Sequence, residues 1–329
     1  MVDHPAPTVE DRLRLQGDWG AFNLTRTCGW LAQWVHDQTP EHRLSVIRTG
    51  RGMGDSFRAL AAGAVDVAVA TPASFAPLAR DGLGPFAGEA NPDLRALAVL
   101  PHRDAMIAVA ASRLGLTTLE DAAGHDGPLR ISLGAGDPDG FMGFAGDLLL
   151  AGAGLDPAGM AERGWVLTRH EQPFAAIADL REGRADIMIS EAIMTPDWQR
   201  LATEAQVTFL PLTDRQQRWI ADRYGVGTVE VPAGYFPGLD QPLTALDYAG
   251  WFVGTTTALD DATAALIARA VVEDSEVMAG QYRHLPVDRS PLAYPIDHRT
   301  ASRTPVQLHP AAARVYEDAA GREGRDDRR

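Results

Sequence analysis

Three carboxylates stand where apolar stretches of the sequence give way to short turns. Asp137 and Asp139 lie in the turn Gly136–Gly140, and Glu191 directly follows the apolar stretch Ala185–Ser190. Asp137 and Asp139 could cap the following helix by accepting backbone N–H hydrogen bonds, or they could contact a ligand. Glu191 could end a strand in solvent or contact a ligand. An acidic surface of this kind opposes an anionic ligand and suits a cationic or hydroxylated one.

Aromatic and polar side chains in other turns are further candidates for ligand contact. Trp19 could stack on a solute, or it could serve in the core or as a lid. His102 could reach a ligand from the polar break Pro101–Asp104, or it could lie in an exposed turn. The complete set of candidate ligand-binding residues is Trp19, Phe22, Asn23, Thr49, Thr71, Ser74, His102, Asp137, Asp139 and Glu191.

The single cysteine and the histidines show no pattern typical of an enzyme centre. Cys28 shares the apolar face of a predicted helix with Leu24, Leu31 and Val35, where a free cysteine behaves as a small hydrophobic residue. A nucleophilic cysteine also needs an activating base, and none stands nearby in the sequence. The nine histidines lack the His-x-x-x-His spacing that gives a helix two metal ligands. We therefore predict no catalytic residue, no metal and no cofactor.

The composition excludes several classes of partner. With 44 acidic against 30 basic residues, the 329-residue chain carries a formal net charge of -14. This charge repels nucleic-acid phosphates and anionic lipid headgroups, so neither is an expected partner. The sequence has no apolar run long enough to insert into a membrane, and its first residues do not have the pattern of a signal peptide. We expect a cytoplasmic protein as written, or a periplasmic one if the true start lies upstream.

Alternating strand and helix patterns position these residues. A strand, a glycine loop and a helix follow one another from Leu13 onward, and a second series of the same kind comes later. This alternation predicts an α/β fold with parallel strands and right-handed crossovers. Two apolar stretches, Leu94–Ala111 and Asp247–Val253, could cross between two lobes. The predicted lobes are residues 1–103 with 246–329, and residues 104–245, with a ligand cleft between them at the strand ends.

Three stretches of the sequence resemble a known family. Val231–Asp240 resembles the proline, glycine and aromatic signature that precedes the second crossing strand in TAXI-class receptors of TRAP transporters. Asn91–Ala98 resembles the entry to their first crossing strand, and Leu308–Tyr316 resembles their ending. The order and spacing of these stretches agree over nearly the whole chain.

The resemblance implies a type II periplasmic-binding-protein fold, with two doubly wound sheets joined by crossing strands. Such a receptor closes on a small, often carboxylated solute and passes it to TRAP membrane subunits. Family members usually carry an export signal or a lipid anchor, and they usually have small hydroxyl residues at the turn that is Gly136–Gly140 here. The expected function is therefore binding of a small organic solute by a leaderless receptor of this class.

Two other functions remain open at the level of sequence. A cytoplasmic enzyme of decarboxylase or lyase type could use Asp137, Asp139, Glu191 and His102 for proton transfer in a closed cleft. A metabolite sensor could bind a small molecule and report to a partner protein. A bound ligand that persists distinguishes the receptor from the enzyme, which consumes it.

Overall fold

The structure, a computed structural model, describes residues 12–18, 23–136 and 139–326. Within these residues the β-strands are β1 (Leu13–Gly17), β2 (Ser45–Thr49), β3 (Val67–Ala70), β4 (Leu94–Leu100), β5 (Ala105–Ala111), β6 (Arg130–Gly134), β7 (Val166–His170), β8 (Ile187–Ser190), β9 (Val207–Leu210), β10 (Thr228–Val231), β11 (Leu243–Asp247) and β12 (Trp251–Thr256). The α-helices in the same ranges are α1 (Asn23–Gln38), α2 (Met53–Ala61), α3 (Ala76–Asp81), α4 (Phe141–Gly152), α5 (Pro157–Glu162), α6 (Pro173–Arg181), α7 (Pro196–Glu204), α8 (Asp214–Tyr224), α9 (Asp261–Glu273), α10 (Ser275–Gly280), α11 (His298–Ala301) and α12 (Pro310–Asp326).

The chain divides into two compact units. Unit 1 contains the described residues of Met1–Gly82, Phe86–His102 and Gly250–Arg329, and unit 2 contains Leu83–Pro85 and Arg103–Ala249. The strand order in unit 1 is β2-β1-β3-β12-β4, and the order in unit 2 is β10-β11-β5-β8-β6-β7, with β9 also paired to β5. Each unit therefore has a sheet of its own.

Both sheets contain the same arrangement of four strands. In unit 1, β1 lies between the parallel strands β2 and β3, and β3 pairs with the antiparallel strand β12. In unit 2, β6 lies between the parallel strands β7 and β8, and β8 pairs with the antiparallel strand β5. The order second–first–third is that of a doubly wound sheet. The α/β prediction is thus confirmed, and both sheets are mixed.

An arginine–aspartate pair connects the first and third strands in both units. Arg14 on β1 binds Asp66, which precedes β3, with 2.5 Å between Nη2 and Oδ1. Arg130 on β6 binds Asp186, which precedes β8, with 2.8 Å between the same atoms. Burial opposes ionisation of Asp186, but hydrogen bonds from Arg130 and Arg113 hold its pKa at about 2. The ion pair therefore lies at the same place in both sheets, at the start of β3 in unit 1 and at the start of β8 in unit 2.

Aromatic side chains from the family-like stretches pack in the cores of the two units. In unit 1 the buried Tyr316 on α12 donates its hydroxyl to the carbonyl of Leu97 at 2.9 Å. In unit 2 the ring of Phe236 stacks on Trp198 and on Phe209, with 5.4 and 5.2 Å between ring centroids. These residues therefore stabilise the packing of helices and turns on the sheets.

The apolar pattern of Asp247–Val253 predicts a single strand, and this prediction is wrong. β11 belongs to the sheet of unit 2 and β12 to that of unit 1, and Tyr248–Gly250 joins them. Gly250 has a φ of 80°, in the left-handed region that favours glycine. A Cβ there would also lie 2.8 Å from side-chain atoms of Ala73 and Val99. The break between β11 and β12 therefore needs a glycine at position 250, both for its positive φ and for the lack of space for a Cβ.

Gly143 lies where α4 passes close to the turn after β6, and this close approach makes its replacement costly. A Cβ at this position would lie 1.7 Å from the carbonyl oxygen of Ala135. We expect Gly143→Ala to lower the free energy of unfolding by about 1–3 kcal/mol, because the backbone must shift. Urea denaturation of the purified variant measures this change.

Gly29 in α1 provides the matched control for this helix glycine. A Cβ at Gly29 would meet no atom within 4 Å, so Gly29→Ala should raise the free energy of unfolding by up to about 1 kcal/mol. Equal effects of the two substitutions would contradict the close approach at Gly143.

Candidate functional site

Three carboxylates lie together at one end of the unit 2 sheet. Asp104 precedes β5, Glu191 follows β8 and Asp247 is the last residue of β11. Because β5 is antiparallel to β8 and β11, its first residues lie beside the last residues of those two strands. Asp104 and Glu191 are 3% and 9% exposed. We call these three residues the acidic cluster.

Backbone N–H groups hold the side chain of Asp104. Its Oδ1 accepts hydrogen bonds from Ala105 at 2.8 Å and from Ile193 at 3.1 Å, and its Oδ2 accepts one from Ala192 at 3.1 Å. Buried N–H groups beyond the end of a strand need such an acceptor. The carboxylate therefore ties the start of β5 to the turn that follows β8.

The surroundings of Glu191 favour its protonated form. Burial raises the pKa of Glu191 well above its usual value, and the charge of Asp104 and a hydrogen bond to it raise this pKa further. The hydrogen bond runs from Glu191 to Asp104, because both Asp104 oxygens already accept N–H groups. A buried glutamic acid in this state can donate a hydrogen bond or transfer a proton.

Asp247 is the third acid that burial affects. Burial raises its pKa, the charge of Asp104 adds to this, and the N–H of Ala249 offsets part of it by donating to Oδ1 at 2.9 Å. The cluster therefore resists carrying three negative charges at once. Within the described residues, no group of three or more His, Cys, Asp or Glu side chains could hold a metal ion.

The turn after β8 has a strained backbone. Ala192 has a φ of 63°, in the left-handed region that residues other than glycine seldom adopt. Trp198 Nε1 donates to the carbonyl of Glu191 at 2.7 Å, and Thr195 Oγ1 donates to the carbonyl of Ala192 at 2.9 Å. Strain of this kind persists where surrounding contacts enforce it, and it is concentrated at functional sites. The turn thus fixes Glu191 beside Asp104.

Thr71 and His102 contact the same segment of unit 1. Thr71 Oγ1 donates to the carbonyl of Gly250 at 3.3 Å, and the N–H of Gly250 donates to the carbonyl of His102 at 2.9 Å. The His102 ring stacks on Trp251, and its Nδ1 donates to the carbonyl of Pro291 at 2.5 Å. His102 is buried, so the alternative of an exposed turn is wrong.

The remaining predicted contacts of unit 1 differ in exposure. Thr49 is exposed at the end of β2, and Ser74 is half-buried in the 3-10 helix Ala73–Phe75. Asn23 is half-buried at the start of α1, where its Oδ1 accepts the hydroxyl of Tyr282 at 2.9 Å. Binding of a ligand by these three residues stays a prediction.

Three of the predicted contacts, Trp19, Phe22 and Asp137, lie outside the described residues. Asp139 is half-buried in the turn before α4. Of the two predicted acids of unit 2 that the structure describes, Asp139 and Glu191, Glu191 belongs to the acidic cluster. The side chain of Cys28 is buried in the core of unit 1, and burial raises its pKa well above the usual value. The prediction that Cys28 packs as a small hydrophobic residue is therefore confirmed.

Asp104 and Asp247 are not among the candidate contacts predicted from the sequence. Asp104 lies in the predicted polar break Pro101–Asp104, and Asp247 is predicted to begin a strand, whereas it ends β11. Both residues stand where an apolar stretch meets a turn, which is the signal that identified Glu191. What the sequence does not reveal is the antiparallel pairing of β5 with β8 and β11, which brings the three acids together.

Known proteins share this architecture. A sequence profile of the NMT1-like family matches residues 29–319. The chain belongs to the NMT1-like family. Its structure is similar to that of PhnD1 from Prochlorococcus marinus in complex with methylphosphonate, with a TM-score of 0.52 and 10% identity over 95% of this chain and 98% of that one. It is also similar to the periplasmic aliphatic sulphonate binding protein SsuA from Escherichia coli, with a TM-score of 0.45 and 15% identity over 94% of this chain and 83% of that one.

The likeness to PhnD1 shows the fold of this NMT1-like protein. It is the type II periplasmic-binding-protein fold, as the sequence resemblance predicts. No curated protein matches the chain in sequence. Among the described residues of this family member, no helix is both long and apolar enough to cross a membrane.

Glu191→Gln should make the stability of the protein less dependent on pH. The pKa of Glu191 is raised in the folded state, so binding of its proton stabilises the folded protein. This stabilisation is complete below the usual pKa of about 4.3 and is lost as the pH rises through the raised pKa. Glutamine keeps the shape of the Glu191 side chain and has no group that titrates. In the pH range from about 4.3 up to the raised pKa of Glu191, the fall in unfolding free energy with rising pH should shrink by up to about 1.4 kcal/mol per pH unit in the variant.

Urea denaturation across this pH range measures the slope for both proteins. Glu230→Gln, at an exposed position on β10, is the control and should leave the slope unchanged. A slope in Glu191→Gln equal to that of the unmodified protein would mean that Glu191 is ionised throughout this range.

Proposed function

We propose that this protein is a solute receptor of the TAXI class, which binds a small organic solute and passes it to TRAP membrane subunits. Membership of the NMT1-like family and the type II periplasmic-binding-protein fold support binding of a small solute. The three family-like stretches, Asn91–Ala98, Val231–Asp240 and Leu308–Tyr316, support the TAXI class.

The observation that carries this proposal is the repeated strand order of the two units. In unit 1 β1 lies between its parallel neighbours β2 and β3, and in unit 2 β6 lies between its parallel neighbours β7 and β8. Ligands of such sheets bind beyond the carboxyl ends of the strands. Thr71 directly follows β3, and Glu191 directly follows β8. Both units thus present a polar side chain at the position where this fold binds ligands.

The acidic cluster sets the chemistry of the contact in unit 2. Asp104 has its oxygens engaged by backbone N–H groups, and the raised pKa of Glu191 favours its protonated form, which carries an oxygen that can accept a hydrogen bond. An anion placed here would meet negative charge without a compensating cation from the cluster. The solute therefore presents a hydroxyl, an amide or an ammonium group to unit 2.

A second candidate function is proton-transfer catalysis by a cytoplasmic enzyme on the same fold. The observation that favours it is the protonated Glu191 beside Asp104, since a general acid must hold its proton near neutral pH. The same pair serves a receptor equally well as a neutral hydrogen-bonding group. The two functions differ in whether the bound molecule changes.

The receptor should bind a solute that persists unchanged. We expect a thermal-shift screen of carboxylates, amino acids and polyamines to give at least one compound that raises Tm, and native mass spectrometry to show one molecule bound per chain. The concentration of that compound, followed over hours by chromatography, should stay constant. Its disappearance with formation of a product, abolished in Glu191→Gln and retained in Glu230→Gln, would contradict the receptor and establish the enzyme.

A further inference from the structure

Two histidines of unit 1 lie side by side where α1 ends and the chain turns toward β2. His36 is in the last turn of α1, His42 stands shortly before β2, and their ring centroids are 5.0 Å apart. His42 is exposed and His36 is half-buried, so a dissolved ion can reach the pair. Because β1 and β2 are parallel, α1 returns the chain to the amino ends of these strands. The pair therefore lies at the opposite edge of the sheet from Thr71, which follows the carboxyl end of β3.

One hydrogen bond fixes the position of a proton on the His42 ring. Its Nδ1 lies 3.2 Å from the carbonyl oxygen of His36, and because a carbonyl oxygen only accepts, Nδ1 carries a proton. This carbonyl is among the last four of α1, which have no partner inside the helix. In the neutral ring, Nε2 then has a lone pair that faces no proton. A histidine that ligates a metal has this arrangement, with its other ring nitrogen donating to a carbonyl or carboxylate.

The turn that presents His42 has a strained backbone. His42 has a φ of 51°, in the left-handed region that residues other than glycine seldom adopt. Thr39 enforces this turn, because its carbonyl accepts the N–H of His42 at 3.0 Å. Its hydroxyl accepts the N–H of Arg43 and donates to the carbonyl of Val35, both at 2.8 Å. Strain that neighbours enforce in this way is concentrated at functional sites.

The spacing of the two rings agrees with two ligands of one metal ion. A zinc ion lies about 2.1 Å from a ligating imidazole nitrogen, and hence about 3.2 Å from the centroid of that ring. Two such rings at a tetrahedral angle of about 109° have centroids about 5 Å apart, and the observed distance is 5.0 Å. In the part of the chain that the structure describes, neither the ring nitrogens of His36 nor Nε2 of His42 make a hydrogen bond.

The charges around the pair favour a cation. The carboxyl-terminal end of a helix carries partial negative charge, and both rings lie at that end of α1. The carboxylates of Asp37 and Glu41 are exposed in the same segment. The arginine of the segment, Arg43, donates from Nη1 to the hydroxyl of Thr263 on α9 at 2.7 Å, so its guanidinium group is held at α9.

We propose that His36 and His42 bind a divalent transition-metal ion, of which Zn²⁺ is the probe, through Nε2 of His42 and one ring nitrogen of His36. Imidazole nitrogens suit zinc, copper and nickel, whereas magnesium prefers oxygen ligands. The pair lacks the His-x-x-x-His spacing of a single helix because the second ligand comes from the turn after α1. Water completes the coordination, and the bound ion links the end of α1 to the segment that enters β2.

Calorimetric titration of the purified protein with Zn²⁺ and with Mg²⁺ tests this site. We expect one Zn²⁺ ion per chain and no binding of Mg²⁺. His36→Gln keeps a good helix former in α1, and His42→Asn keeps a residue that tolerates a positive φ. Each substitution should weaken Zn²⁺ binding about tenfold or more, since losing even a group that hydrogen-bonds a ligand costs about 10–100-fold. His284→Gln, at another exposed histidine of unit 1, is the matched control and should leave the affinity unchanged.

Two further measurements examine the proton and the link that the ion makes, and circular dichroism confirms that each variant is folded. Long-range ¹H–¹⁵N spectra of the metal-free protein should show neutral His42 with its proton on Nδ1, and Zn²⁺ should shift the resonance of its Nε2. Zn²⁺ should raise Tm of the unmodified protein and of His284→Gln, because it binds the folded state, and should not raise Tm of His42→Asn. A proton on Nε2 in neutral His42 would overturn the inference.

The metal site goes beyond the proposed receptor function and fails separately from it. Zn²⁺ binding that is equally tight in His36→Gln or His42→Asn, or no Zn²⁺ binding by the unmodified protein, would overturn the metal site and leave the receptor function standing. A protein that binds Zn²⁺ at this pair and binds no solute would count against the receptor function alone.

Discussion

The N–H groups that follow the third strand of each sheet must find acceptors where the sheet has ended, and this requirement shapes both strand ends. In unit 1 the carbonyl of Gly250 accepts the N–H of Ala73 at 3.0 Å and the hydroxyl of Thr71. In unit 2 the side chain of Asp104 accepts the N–H of Ile193, the residue that corresponds in position. Gly250 and Asp104 each precede the antiparallel neighbour of that third strand. A backbone carbonyl thus does in one unit what a carboxylate does in the other.

The choice of acceptor has electrostatic consequences. A carbonyl satisfies donors without adding a charge, whereas Asp104 brings a negative charge into a buried site. Burial, together with this charge, raises the pKa of Glu191, the residue that corresponds to Thr71, well above its usual value. In unit 1, burial raises the pKa of Asp18, which directly follows β1, to about 8. Each unit therefore has an acid with a raised pKa at a strand end, for different reasons.

Local patterns of sequence predict the elements of this fold well. The sequence predicts helices over Phe141–Gly152, Pro173–Arg181 and Asp214–Tyr224, and these are the bounds of α4, α6 and α8, because helical apolar periodicity is a local signal. The break at Gly250 is not predicted, since it depends on side chains of Ala73 and Val99 that are distant in sequence. Glu191 is predicted for the same local reason as the helices, whereas its partners are set by strand pairing.

The residues that carry the family resemblance and the buried acids at the strand ends are different residues. Phe236 and Tyr316 lie in the family-like stretches, and both are buried in packing contacts. Asp18 and Glu191 lie at strand ends outside those stretches, and their carboxyl groups make hydrogen bonds to polar groups, Asp18 to Ser56 and Glu191 to Asp104. A substitution at such a strand end therefore changes hydrogen bonding and charge and leaves the family-like packing residues in place.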